Sequence, residues 1–171
     1  SDISGLSNLN TIHGGIFMYL NPALTNVAPL SNLDTLEGVL IINENISLLS
    51  LYGLHNLVYS NLTNIQIHDN LALSVCNMQA VCNQLSNPSV PKTIYSNAFG
   101  CDNLNEVTQS CSGNGCPTFD ITFFLQTEVD SFASAFPSCD SIKANLTVWG
   151  INSNVDGLQG IEHIGGSLSI R

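Results

Sequence analysis

The sequence predicts a mainly β protein: a parallel β-solenoid with rungs of about 24 residues, closed by small disulfide-bonded α/β caps and divided into two half-solenoids. Three observations carry this expectation. Leucines recur at a fixed interval, each is followed by a short segment of alternating hydrophobicity, and six cysteines cluster where the repeat is interrupted.

The repeat comes first, because a missed period mis-assigns the whole fold. Leu6, Leu30 and Leu54 are 24 residues apart, and Leu9, Leu33 and Leu57 follow each by three. Ile12 and Leu36 continue the pattern. Then come Ile16-x-Met18, Leu40-x-Ile42 and Ile65-x-Ile67, the third arriving one residue late. Alternation of period two marks a strand with one buried face. Asn21, Asn45 and Asn70 lie five residues after each strand start, followed by Leu24, Leu48 and Leu73, then Val27, Leu51 and Cys76. Apolar residues at fixed offsets stack into a continuous core, and amides at equivalent turns form a hydrogen-bonded ladder. The same template returns as Phe136, Cys139, Ile142, Leu146 and Val148, and again as Leu158, Ile161, Ile164, Leu168 and Ile170. Twenty-four residues leave little room for a helix in each turn, which favours a β-solenoid over a helix-containing horseshoe.

Between Cys76 and Cys111 the period stops. SVCNMQAVCNQL reads as a short amphipathic helix holding both Cys76 and Cys82, VPKTIY as an extended segment, and Asn103-x-x-Glu106 as the capping start of a second helix. Cys76 and Cys82 point apart on such a helix, so each is left to pair with Cys101 or Cys111. Ser112 to Gly115 reads as a linker, placing a C-terminal half-solenoid with its cap in residues 1–111 and an N-terminal cap with first rungs in 116–171. In that second cap Ile121 to Leu125 reads as a strand, and Thr127-x-x-Asp130 opens a helix with Val129, Phe132 and Phe136 on one face, stopped by Pro137. Cys116 and Cys139 tie the cap to its first rung. The order is therefore rungs, cap, linker, cap, rungs, with both open ends uncapped.

At Gly157-Leu158-x-x-Ile161-x-x-Ile164-Gly165-Gly166-x-Leu168-x-Ile170 the chain resembles the receptor L-domain-like leucine-rich repeats of secreted and surface proteins of Bacteroidota. Asn21-Pro22-Ala23-Leu24-Thr25 is similar to the turn of those repeats. Cys116-Pro117 with Asp120-Ile121-Thr122 resembles the start of such an array, and Cys76 to Cys82, Asn97 to Cys101 and Glu106 to Cys111 its end. The resemblance implies an adhesive, binding or structural module at the bacterial surface. Asp34-Thr35-Leu36 and Asp140-Ser141-Ile142 resemble the O-glycosylation motif of that phylum, with Thr35 and Ser141 as acceptors.

Composition narrows the function. The 171 residues include three Lys+Arg against 13 Asp+Glu, a net charge of -10. That is too little positive charge for nucleic acid or an anionic membrane. No apolar run reaches the roughly 20 residues of a membrane span. Six cysteines fit an oxidising, extracellular setting. His13, His55, His68 and His163 occupy different offsets, and the acidic residues lack calcium-loop spacing, so no catalytic or metal site and no cofactor are expected. Asn45, Asn61 and Asn145 begin N-glycosylation triplets, coincidental in a bacterial protein. Tyr19, Tyr52, Tyr59 and Trp149 share no offset and predict no single aromatic stripe. Two functions remain. One is a structural subunit that self-associates head to tail as a fibril, Leu9, Ile16, Met18 and Leu24 of one chain meeting Leu158, Ile161, Leu168 and Ile170 of the next. The other is part of a surface adhesin that recognises a glycan or a protein.

Overall fold

The computed structural model of the chain describes every residue except 1, 58, 113–115, 119, 125 and 151–153, and only the backbone of 127, 131 and 134. A first parallel sheet holds β1 (Thr11–Ile12), β2 (Gly15–Tyr19), β3 (Thr35–Asn43), β4 (Tyr59–His68) and β5 (Lys92–Tyr95), in the order β1-β3-β4-β5 with β2 also beside β3. Register follows the repeat. Ile16 and Met18 lie beside Leu40 and Ile42, which lie beside Ile65 and Ile67. The residue by which the third copy runs late forms a bulge opposite Gly38 and Val39. There Thr63 is left out of the ladder, and its hydroxyl donates to the Gly38 carbonyl at 3.1 Å. Short 3-10 turns at Ser4–Leu6, Ala28–Leu30 and Tyr52–Leu54 form the opposite edge of successive copies. Leu33, Leu36, Leu40, Ile42, Leu48, Leu51 and Leu54 are fully buried between strands and turns.

The asparagine ladder is present and longer than its three predicted members. The Asn21 N–H donates to Asn45 Oδ1, that of Asn45 to Asn70 Oδ1, that of Asn70 to Asn97 Oδ1, and that of Asn97 to Asp102 Oδ1, at 3.0–3.2 Å. Asn45 and Asn70 are completely buried, and the Asn70 amide also donates to the carbonyls of Ile42 and His68. Each ladder residue follows a left-handed corner, at Leu20, Glu44, Asp69 and Ser96, where φ is 50–60°. None of the four is glycine, so the side-chain bonds hold a conformation that the backbone disfavours.

The repeat then gives way to α1 (Gln79–Cys82), β5 and α2 (Leu104–Cys111). Helix α1 is shorter than the sequence predicts, and Cys76 lies before it, next to the parallel bridge between Ser50 and Val75. Disulfides join Cys76 to Cys101 and Cys82 to Cys111. The Asn103 side chain caps α2 by accepting from the Asn105 and Glu106 N–H groups. Glu106 completes only part of the expected box. Its carboxylate reaches past Asn103 N–H to accept from the Gly100 and Asp102 N–H groups and from the Asn103 amide. Lys92 is also held internally, its Nζ donating to the carbonyls of Gln84, Asn87 and Val90.

Beyond α2 come β6 (Ile121–Phe123), α3 (Gln126–Ala135), β7 (Ser141–Ile142), β8 (Leu146–Val148), β9 (His163–Ile164) and β10 (Leu168–Ile170). Strands β6, β8 and β10 form one parallel sheet, with β8 in the middle, and β7 and β9 another. Leu125, expected to end the β6 strand, and Gly113 to Gly115 of the predicted linker lie outside the described residues. Helix α3 ends before Pro137, and the third disulfide joins Cys116 to Cys139. Val129, Phe132 and Phe136 are buried as their spacing predicts. The core of this region also takes in Phe99 from the segment after β5, with ring centroids 5.0 Å from Phe123, 5.8 Å from Phe132 and 5.6 Å from Phe136. The two cap segments therefore pack against each other, and Gln109 Nε2 donates to the Thr118 hydroxyl across the same junction.

Candidate assembly faces

The eight residues expected to carry assembly fall into two groups. Leu9, Ile16, Met18 and Leu24 belong to the first core, and Leu158 and Ile161 pack on the second, next to β10 with Leu168 and Ile170. Among the described residues β1 and β2 pair only with β3, and β10 pairs only with β8, so each group borders a sheet edge.

At the first edge an apolar concavity of about 300 Å³ is lined by Ile3, Leu6, Leu9, Ile12, Ile16 and Met18, among others. Leu6 is 44% exposed, although its counterparts Leu30 and Leu54 are buried. At the other edge Leu168 and Ile170 are 55% and 71% exposed, while their register partners Leu146 and Val148 are buried. Core-facing side chains thus lie open at both ends, and the strand edges beside them carry unpaired backbone groups.

The two faces share one layout. A 3-10 turn, a two-residue strand and a longer strand occur at Ser4–Leu6, Thr11–Ile12 and Gly15–Tyr19, and again at Asp156–Leu158, His163–Ile164 and Leu168–Ile170. Leu6, Ile12, Ile16 and Met18 correspond to Leu158, Ile164, Leu168 and Ile170, 152 positions later in each case. Gly5, Gly53 and Gly157 occupy the middle of three of these turns. A Cβ on Gly53 would collide with the Val27 carbonyl, and one on Gly157 with the Val129 carbonyl, because the preceding layer lies against them. A Cβ on Gly5 would meet nothing within 4 Å. Sequence reasoning missed this glycine slot, although its signal, a Gly before the first leucine of a copy, is visible at all three positions.

The other candidates sit as follows. Thr35 begins β3 and Ser141 begins β7; both are half-buried, and the Thr35 hydroxyl donates to Asp34 Oδ1 at 2.8 Å. Asn45 is enclosed by the ladder and the Asn145 amide is bound to Asp120, whereas Asn61 is exposed. His13 meets Glu37 at 2.8 Å on the surface, and His68 meets Asp69 at the same distance. Among the described residues no group of three His, Cys, Asp or Glu side chains is placed to hold a metal ion, and no helix is long and apolar enough to cross a membrane. Burial pushes the Glu106 carboxyl above its ordinary range, opposed by the N–H groups of Gly100 and Asp102. Its bonds make it part of a helix cap.

Comparison with known proteins finds no matching family, no similar curated protein and no similar solved structure.

Proposed function

We infer that the protein is an extracellular structural subunit whose chains associate head to tail. In this reading the sheets are parts of parallel β-solenoids, similar to receptor L-domain-like leucine-rich repeats, and residues 116–171 of one chain and 1–111 of the next complete one solenoid. The observation that carries it is the shared layout of the two open faces, element by element at equal spacing. Stacking with that spacing sets Ile16 and Met18 beside Leu168 and Ile170, and brings Gly5 over the backbone at Val155. Val155 precedes its turn as Val27 precedes the turn under Gly53, but it is 47% exposed while Val27 is buried. A contact between two different surfaces that does not close on itself propagates as a filament. Three disulfides fit an oxidising compartment.

The test is electron microscopy with sedimentation of the purified chain and of Gly5→Val. The glycine slot is open in the single chain, so the variant is expected to keep its three disulfides and its circular dichroism yet form no filaments. A wild-type chain that stays monomeric, or Gly5→Val filaments like those of the wild type, overturns the reading. Ile16→Asp with Met18→Asp attacks the same face through its strand and is expected to block assembly as well.

A further inference from the structure

The first sheet has a second organised surface, on its outward face, which begins at the edge strand β2 and crosses to β5. Alternation turns Ile16, Met18, Leu40, Ile42, Ile65 and Ile67 to the core, so their neighbours form two outward rows across the strands. Phe17, Ile41, Gln66 and Thr93 make one row, and Tyr19, Asn43, His68 and Tyr95 the other. Aromatic rings stand at the rims. Phe17 is 59% exposed, and Tyr19 and Tyr95 are 46% exposed. The His68 ring lies flat on Tyr95, with centroids 4.8 Å apart and planes within 3°, and its Nδ1 is fixed by Asp69 at 2.8 Å. Between these rims lies Asn43, 5% exposed, whose Oδ1 has no hydrogen-bond partner. A buried amide oxygen without a partner is costly and calls for an explanation.

Flat rings separated by uncharged amides, a hydroxyl and an imidazole match the two kinds of surface on a sugar: C–H faces that lie on aromatic rings and hydroxyls that pair with amides. Charge selects among sugars. Neither row contains Lys or Arg, the nearby Lys92 ammonium is bound to three carbonyls, and Asp69 stands at the rim. A uronate, sulfate or phosphate would meet no cation within either row. Tyr19 and Tyr95 are three strand spacings apart, about 14 Å, which exceeds one sugar ring. We propose that this outward face binds a neutral polysaccharide laid across the strands, with Tyr19 and Tyr95 as its stacking rings.

The experiment is calorimetric titration of the purified chain with cellohexaose, xylohexaose and mannohexaose, and with trigalacturonate as the charged comparator. Binding to at least one neutral hexasaccharide is expected, with none to trigalacturonate. Tyr19→Ala and Tyr95→Ala should each weaken it at least tenfold. Tyr95→Phe, which keeps the ring, should retain it, as should Tyr52→Ala, whose ring is exposed elsewhere. Both platform tyrosines are half exposed, so unchanged circular dichroism is expected to show that the fold survives. The proposal is overturned by no binding to all three neutral sugars, by equal affinity in the tyrosine variants, or by equal binding of trigalacturonate. It also fails if Tyr19→Ala and Tyr95→Ala change the sedimentation of the sugar-free chain while leaving sugar binding intact, because the face is then a contact between copies.

Discussion

Residues 1–111 and 116–171 build parallel sheets from one template but stabilise them differently. The first region is regular. Its register steps by 24 residues from β2 to β3, by 24 and then 25 from β3 to β4 and by 27 from β4 to β5; its core is leucine and isoleucine, and a buried asparagine ladder runs through its corners across all of these steps. The second steps by 25 residues from β6 to β8 and by 22 from β8 to β10. Its ladder is an exposed relay in which Asp120 accepts from Asn145 and Asn145 accepts from the Ser167 N–H. A phenylalanine cluster fills the core of the second region where leucine and isoleucine fill the first, and both regions carry disulfides, two in the first and one in the second. Stacked corners let polar side chains be buried in series, each satisfied by the next, although the steps between them are 24, 25 and 27 residues. In the second region, where no amide ladder is buried among the described residues, large aromatic side chains fill the core.

The sharpest way to break this contrast is to compare the two ladders. Asn70→Ala leaves the Asn45 N–H and the carbonyls of Ile42 and His68 without their side-chain partner, and should cost about 4 kcal/mol in urea unfolding. Asn145→Ala, solvated at the surface, should cost less than about 1 kcal/mol. Equal losses would dissolve the distinction. Phe99→Ala removes the ring that the first region lends to the second core and should cost about 3–4 kcal/mol. Hydrogen exchange should then rise in β6 and β8 and stay low in β3 and β4. Replacing Cys116 and Cys139 by serine should cost about 3 kcal/mol for a loop with a separation of 23, again read in the second region. The smallest effect concerns pH. Because burial raises the Glu106 carboxyl, the native state holds its proton more tightly than the unfolded chain does. That contribution is complete below the ordinary glutamate range and is lost as pH rises through the elevated native value. Glu106→Gln should flatten this part of the pH dependence of stability in either direction of titration.

The regular half was the more legible in sequence. Fixed offsets predicted the strands and the ladder from Asn21 to Asn70, and marked the one extra residue that the structure absorbs as a bulge. Asn97 was not legible, because the step from β4 to β5 is 27 residues and takes in α1, so no constant offset marks it. The same break placed Cys76 on a helix that begins only at Gln79. Phe99 escaped because hydrophobic periodicity records which residues are buried, not which core receives them. The row from Tyr19 to Tyr95 escaped for a different reason: outward positions follow no apolar pattern, and only the strand register aligns them. The glycine slot was visible as a residue but not as a contact, since its meaning depends on the layer beneath.

The Lys92 knot has a consequence for how the molecules behave in solution. Of three basic side chains, Lys92 is bound by three carbonyls and the Arg171 guanidinium rests 5.1 Å from the centre of the Trp149 ring. Nine of the thirteen acidic residues are exposed, with little opposing charge at the sides. Flank-to-flank contact between chains is repelled over a screening length of about 10 Å at 0.1 M salt, while contact between apolar ends is not. Any end-to-end assembly should remain thin and single in dilute buffer, and thicken into bundles as salt screens the flanks or acid neutralises them.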